Sequence, residues 1–300
     1  MRHSDAERKV TMARMTPGQL RSRMQQLQSR QRQAISRYNQ AVRKVNQTID
    51  TYNREARAHN ARVRANRQRL AQALARLQSR PQVVTTYVTF RASVETLHRS
   101  YVALDREADS RQTGELENEL LDLSERENAN SIELMDALVA DQAPLGAGDD
   151  LSRLRETRIG DELLALSDDL DSRWRGALFS LHPENPDASR HFCTSAREIF
   201  TKILDERAPD ALVVQDVPNC QLHEGRPTRR AKIHFALRRK GLVTEPLEHF
   251  VDQDVSNILE PFGMFNHGTH GSSGRYAFEQ LRAIKTRVED GIIYLSRIFG

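Results

Sequence analysis

The sequence predicts an all-α protein, an N-terminal antiparallel coiled-coil hairpin followed by a compact C-terminal helical domain. Three observations lead there. Apolar residues step by alternating threes and fours from Ile35 to Leu77, the C-terminal half carries apolar residues at helical spacing between loop signals, and only 211–214 and 232–235 are candidate strands.

Taken in order, residues 1–15 (MRHSDAERKVTMARM) lack the apolar stretch of a signal peptide and read as a disordered N-terminus. Thr16 and Pro17 suit a helix start, since threonine can cap and proline fits the first turn, and Pro81 suits a stop. Between them Ile35, Tyr38, Val42, Val45, Ile49, Tyr52, Ala56, His59, Val63, Asn66, Leu70, Ala73 and Leu77 form the seam of a left-handed coiled coil, with β-branched residues at several a positions. Asn39, Asn46, Asn53 and Asn60 each follow a seam position, and polar seam residues such as His59 and Asn66 can fix register. A second run, Tyr87, Phe90, Val94, Leu97, Tyr101 and Leu104, predicts the arm that folds back and completes a hairpin over 16–110. Leu116, Leu120, Leu121, Leu123, Leu134 and Leu138 mark a third, acidic helix, and the stretch 143–150 reads as a linker, giving an acidic connector over 111–150. The C-terminal domain is then 151–300.

Composition narrows the function classes. With 38% hydrophobic and 29% charged residues the 300-residue chain is ordinary for a soluble protein, and no run approaches the roughly 18 apolar residues of a membrane span. A cytoplasmic location without membrane contact is the expectation. Cys193 and Cys220 stand far apart, without the close spacing of a zinc or redox motif, and read as reduced thiols. The net charge of +4 conceals a segregation: from 16 to 80 fifteen Arg or Lys face two acidic residues, whereas 105–171 holds twenty acidic residues and six Arg. Either the basic helix neutralises phosphates of nucleic acid, or its arginines occupy the solvated face of a coiled coil and meet acidic groups in cis or in a neighbouring subunit. Homo-oligomerisation through the coiled coil is a further expectation.

Chemistry-bearing residues collect in the C-terminal half. After a helix marked by Trp174, Ala177, Leu178 and Leu181, Asp187 opens another that carries Arg190, His191, Ser195, Arg197 and Glu198, with pairs three or four apart sharing a face. Arg190 and His191 suit an anion contact; the alternative is a capped helix start with a surface Arg/Glu network. A second basic knot on a surface turn, Arg226 to His234, offers Arg229, Arg230 and Lys232 to a phosphodiester. Phe265, Asn266, His267, Gly268, Thr269, His270 and Gly271 crowd two imidazoles, an amide and two glycines between two apolar-periodic helices; the glycines permit close approach of a ligand, and histidine exchanges protons near neutral pH.

From Arg173 onward the blocks WRGALFSLHPENPDASRHFCTSAREIF, APDALVV, GRPTRRAKIHFALRRKG and FNHGTHGSSGRYAFEQLRAIKTRVEDGIIYLSRI resemble the predicted pPIWI-associating nuclease domain of bacterial conflict systems, over roughly 170–300. The resemblance implies a nuclease role in antiphage or mobile-element defence, with a partner from the same defence operon. The closing part also resembles HEPN-type ribonucleases, in which an arginine and asparagine precede a histidine and glycine before the last helix. Asn266, His270 and Gly271 match that pattern; Phe265 stands where it has arginine, so Arg190, Arg197 or Arg229 would have to supply the guanidinium.

No carboxylate set of a two-metal site, phosphate-binding glycine loop or nucleophile elbow is recognisable, and most of the carboxylates near cationic clusters (Glu198, Glu224, Asp252, Asp254 and Glu289) fit capping or helix-surface roles. The expected chemistry therefore uses no metal or other cofactor. His270 acts as general base or acid on a ribose 2′-hydroxyl, His267 as partner acid, Asn266 orients the substrate, and an arginine such as Arg197 stabilises the phosphorane; RNA is favoured over DNA. The alternative is a noncatalytic coiled-coil protein that binds nucleic acid, or senses or assembles on a partner.

Overall fold

A computed structural model describes residues 16–79, 86–140, 154–181, 185, 187–267 and 278–300. Its contacts divide the chain into two units, Met1–Gln68 and Arg69–Gly300.

The first unit is one helix, the N-terminal part of α1 (Pro17–Ser79). Its start is fixed by a reciprocal cap: the Gln19 amide donates to Thr16 Oγ1 (3.4 Å) and the Thr16 amide to Gln19 Oε1 (2.9 Å), which satisfies two donors that a helix start leaves open. Along this helix Ile35, Tyr38, Val45, Ile49 and Tyr52 are all at least half exposed.

The second unit begins where the same seam becomes buried, at Leu70 and Leu77, with Ala73 and Leu74 packed against the core. Four helices build the centre of this unit: α2 (Thr86–Asp109), α3 (Glu115–Val139), α9 (Glu245–His267) and α10 (Phe278–Phe299). The apolar seam predicted for the returning arm, Phe90, Val94, Leu97, Tyr101 and Leu104, is fully buried because α2 packs along α9 and α3. The acidic stretch read as a connector supplies α3, whose Leu120, Ile132, Leu134, Met135 and Leu138 form a wall of this core. Phe250 sits between Tyr101 and Tyr294, with edge-to-face centroid distances of 6.3 and 6.1 Å. Gly291 lets α10 come close: a methyl group there would clash with Ile258 Cδ1 and press on Phe200 Cζ at 3.2 Å.

Around this centre lie α4 (Gly160–Leu166), α5 (Asp168–Ser180), α6 (Ala188–Arg207), α7 (Asp210–Asp216) and α8 (Arg229–Arg239). Ser167 caps α5 by accepting from the Asp169 amide, and Trp174 meets Phe192 edge to face at 5.4 Å. Both expected strands are helical. Residues 211–214 fall in α7, which turns only Val213 inward, and 232–235 fall in α8, started by Thr228 Oγ1 accepting from the Ala231 amide. Runs of three or four apolar residues do not separate strand from buried helix, and here the caps decide. The described strand pairing joins β1 (Leu222–His223) and β2 (Arg226–Pro227), whose turn places Glu224 (φ 52°) and Gly225 (φ 79°) in the left-handed region, as a tight hairpin requires. Cys193 and Cys220 are free thiols, and burial raises Cys193 far above the ordinary thiol range.

Candidate active site

The histidine connection joins α9 to α10, and the pairing of the bundle helices fixes where the described ends of that connection lie. Tyr101 against Phe250 and Ser93 against Asn257 run α2 antiparallel to α9; Glu119 with Arg297, Ser124 with Tyr294 and Asn130 with Asp290 run α3 antiparallel to α10. The last turn of α9 and the first turn of α10 therefore stand at the end of the bundle where α2 begins and α3 finishes. Asn266 and His267 occupy that last turn of α9. His270 lies outside the described residues, as do the side chains of Asn266 and His267. Pro261, one turn earlier, removes an amide donor from this part of the helix. Arg282, one turn into α10, is exposed and pairs with Glu279 at 2.5 Å.

The other sequence-predicted residues separate into two places. At the start of α6, Arg190 and His191 both reach Asp187, at 3.5 and 3.7 Å, and both are more than half exposed. Two turns on, Arg197 is exposed, with no ion pair among the described residues. The basic knot runs from the hairpin strand β2 into the first turns of α8, and its cations are engaged. Arg229 Nε donates to Asp252 Oδ1 (3.0 Å) and its Nη2 to Ser256 Oγ (2.5 Å); Arg230 Nε donates to Glu248 Oε1 (2.9 Å). Lys232 is buried between Asp205 (2.5 Å) and Asp210 (2.8 Å). Hydrogen bonds from Lys232 and Arg226 hold Asp210 below the usual carboxylate range. Glu248 is likewise held low, because His234 and Arg230 outweigh the opposing effect of burial. Arg190, His191 and Arg197 remain accessible to a polyanion, whereas Lys232 would have to leave two carboxylates first.

Behind the bundle end runs a buried polar layer. Arg287 on α10, Glu127 on α3 and Asp254 on α9 are each 0 or 1% exposed, and Arg287 donates one Nη to each carboxylate. Arg287 Nη2 also reaches Asn257 Oδ1 (3.2 Å), which accepts from Ser131 Oγ (2.8 Å), while Asn257 Nδ2 donates to Ser93 Oγ (3.1 Å). Burial opposes the charge of Arg287, yet its two acidic neighbours outweigh burial and keep it firmly cationic. Two carboxylates and one guanidinium would leave a net negative charge in a dry interior, which is costly. A shared proton relieves it: burial pushes the Glu127 carboxyl well above its usual range and raises Asp254 as well. A second layer leads outward. Lys285 Nζ and Arg158 Nε contact Glu289 at 3.0 and 3.1 Å, Arg158 Nη2 and Asn130 Nδ2 contact Asp290 at 3.4 and 2.8 Å, and Trp174 Nε1 holds Thr157 Oγ1 at 2.7 Å. Among the described residues no three His, Cys, Asp or Glu side chains converge as metal ligands would.

Residues 163–295 match the family model described as predicted pPIWI-associating nuclease. No curated protein and no solved structure matches the chain. The segment matching this nuclease family begins within α4 and ends in α10, so it contains Asp254, Arg287 and the whole histidine connection. Glu127, the third member of the buried cluster, stands on α3 outside the matched segment. The matched segment thus completes its core with a helix from the preceding part of the chain. Asp254 and Glu289, both 1% exposed, are not capping or surface groups, and Glu127 was not singled out in the sequence at all. The signal was present in the sequence: Arg287 falls on the Ile284, Val288, Ile292 and Leu295 stripe, Asp254 between Val251, Val255 and Ile258, and Glu127 between Leu120, Leu134 and Leu138. A charge on the apolar stripe of a helix marks a paired interior group.

Proposed function

We propose that this protein is a nuclease of a bacterial antiphage or mobile-element conflict system that cleaves RNA through histidine general acid–base chemistry without a metal ion. The match of residues 163–295 to a nuclease family carries the reading. His270 is the general base that takes the ribose 2′-hydroxyl proton, His267 the acid that protonates the leaving 5′-oxygen, and Asn266 orients the scissile phosphate. An arginine stabilises the phosphorane: Arg197, unpaired among the described residues, is the group inferred from sequence, and Arg282, exposed one turn inside the bundle end, is a second. Arg190 and His191, with Arg229 and Arg230 once released from their carboxylates, line the path of the strand. The partner is a pPIWI-type protein of the same operon, after the family's description.

The test is incubation of the purified chain with labelled RNA and labelled DNA of one sequence, with and without EDTA. RNA cleavage survives chelation. His270→Ala abolishes it, and either Arg197→Ala or Arg282→Ala slows it by about 100-fold, as loss of one transition-state donor does, identifying the arginine. Loss of cleavage in EDTA would remove the mechanism.

A second reading rests on the exposed basic side of α1: a noncatalytic protein whose affinity for nucleic acid is charge-driven, with His270 indifferent. Salt-sensitive binding without cleavage by any preparation favours that reading.

A further inference from the structure

The seam of α1 changes environment along its length, and the residues that flank it change at the same point. With Ile35, Val42 and Ile49 at a and Tyr38, Val45 and Tyr52 at d, the large apolar positions are 38 to 70% exposed. Beyond them Val63 is half-buried, and Leu70 and Leu77 are covered by the protein's own core. Exposed seam residues at this spacing from Ile35 to Tyr52, about two and a half heptads, are the pattern of a helix that buries its stripe against another helix. A helix gains little stability from propensity alone, so such a stripe calls for a cover.

Charge identifies the cover. The e positions alongside the exposed seam are Asn39, Asn46, Asn53 and Asn60, and the g positions are Ala34, Ala41, Thr48 and Glu55. The cations of this stretch, Arg37, Arg43, Lys44, Arg54 and Arg57, fall at b, c and f, on the side away from the seam. An acidic partner helix would be selected by cations at e and g, which are absent here. Two copies of this strongly basic helix can instead approach without repulsion, because in parallel register each g position meets an e′ position and the pairs are Ala34 with Asn39, Ala41 with Asn46, Thr48 with Asn53 and Glu55 with Asn60. The compatibility stops at Arg62 and Arg67, which would oppose each other across a dimer, and there the seam turns to the core of its own chain. β-branched residues at a are those found at a in two-stranded parallel coiled coils.

We infer that a second copy of this chain covers the exposed seam, pairing in parallel through residues 34–60 and leaving the basic b, c and f positions outward. The full chain should sediment at twice its 34.3 kDa at micromolar concentration. The triple variant Val42→Glu/Val45→Glu/Ile49→Glu places carboxylates on the seam and should raise the dissociation constant on the order of 100-fold or more. The melt of the core, followed through the buried Trp174, should not change. Arg43→Glu/Lys44→Glu, on the outer face, should leave the dimer intact. Orientation is read from Val42→Cys in a Cys220→Ser background, where a parallel dimer forms an interchain disulfide on mild oxidation. A wild-type chain that sediments as one copy at tens of micromolar overturns the inference, as does a triple variant that keeps the dimer mass. A dimer that never cross-links through position 42 overturns the parallel register.

Discussion

Arg287, Glu127 and Asp254 show how an interior charge cluster constrains single residues. Either carboxyl alone can serve the guanidinium, so Glu127→Gln and Asp254→Asn should each change stability by no more than about 1 kcal/mol, while the double variant strands a buried cation and loses about 3 to 5 kcal/mol. Denaturant unfolding followed by the fluorescence of Trp174, the chain's single tryptophan, measures this; single variants as damaging as the double one would show that no proton is shared. The cluster also carries a pH signature. Glu127 is raised in the folded protein, so the fold favours its protonated form, and the stability this contributes is complete below the unfolded acid's ordinary range and is lost as pH rises through the folded value. Glutamine cannot ionise. The stability of Glu127→Gln relative to wild type should therefore increase with pH above that range, and a pH-independent difference would contradict the assignment. At Gly291 the constraint is space: Gly291→Ala meets Ile258 and Phe200 and should cost about 1 to 3 kcal/mol in the same measurement.

At the scale of elements, what the sequence revealed depended on how strongly each helix announced its ends and period. The start of α1 at Thr16 and Pro17, the buried seam of α2, and the helices before and after the histidine connection followed from caps and spacing. The helices over 210–216 and 229–239 were not legible, because each offers a run of β-compatible residues too short to show a 3.6-residue period. Thr228 is the signal that outweighs it, and Thr228→Ala should lower stability by about 1 kcal/mol, read by thermal melt. The role of α3 was hidden for another reason. Its acidic composition suggests solvent, yet Glu117 and Glu127 are buried, the first under Arg111 at the surface and the second against Arg287 in the interior. Ion pairs across distant positions are tertiary facts. The candidate site was legible as a set of residue types around Asn266 and His270, but the engagement of Arg229, Arg230 and Lys232 by Asp252, Glu248, Asp205 and Asp210 depends on packing that spacing does not reveal.

For the whole molecule, charge is divided along the chain: a basic helix with an exposed seam at one end of the sequence, and in the other unit the segment that matches the nuclease-family model, closed by an acidic helix. Among the described residues no helix is long and apolar enough to cross a membrane. If the outward cations of α1 bind a nucleic-acid strand, affinity should fall at least about tenfold between 50 and 200 mM salt, and Arg43→Glu/Lys44→Glu should flatten that slope by its lost phosphate contacts; a salt-independent affinity would place the strand elsewhere. The most direct test of the catalytic claim is product analysis of one RNA and its 2′-O-methyl counterpart after exposure to the full chain in excess EDTA. The account predicts fragments ending in 2′,3′-cyclic phosphate from the unmodified strand alone, and none from either strand with His270→Ala. Equal cutting of both strands, or unchanged cutting by His270→Ala, would contradict it.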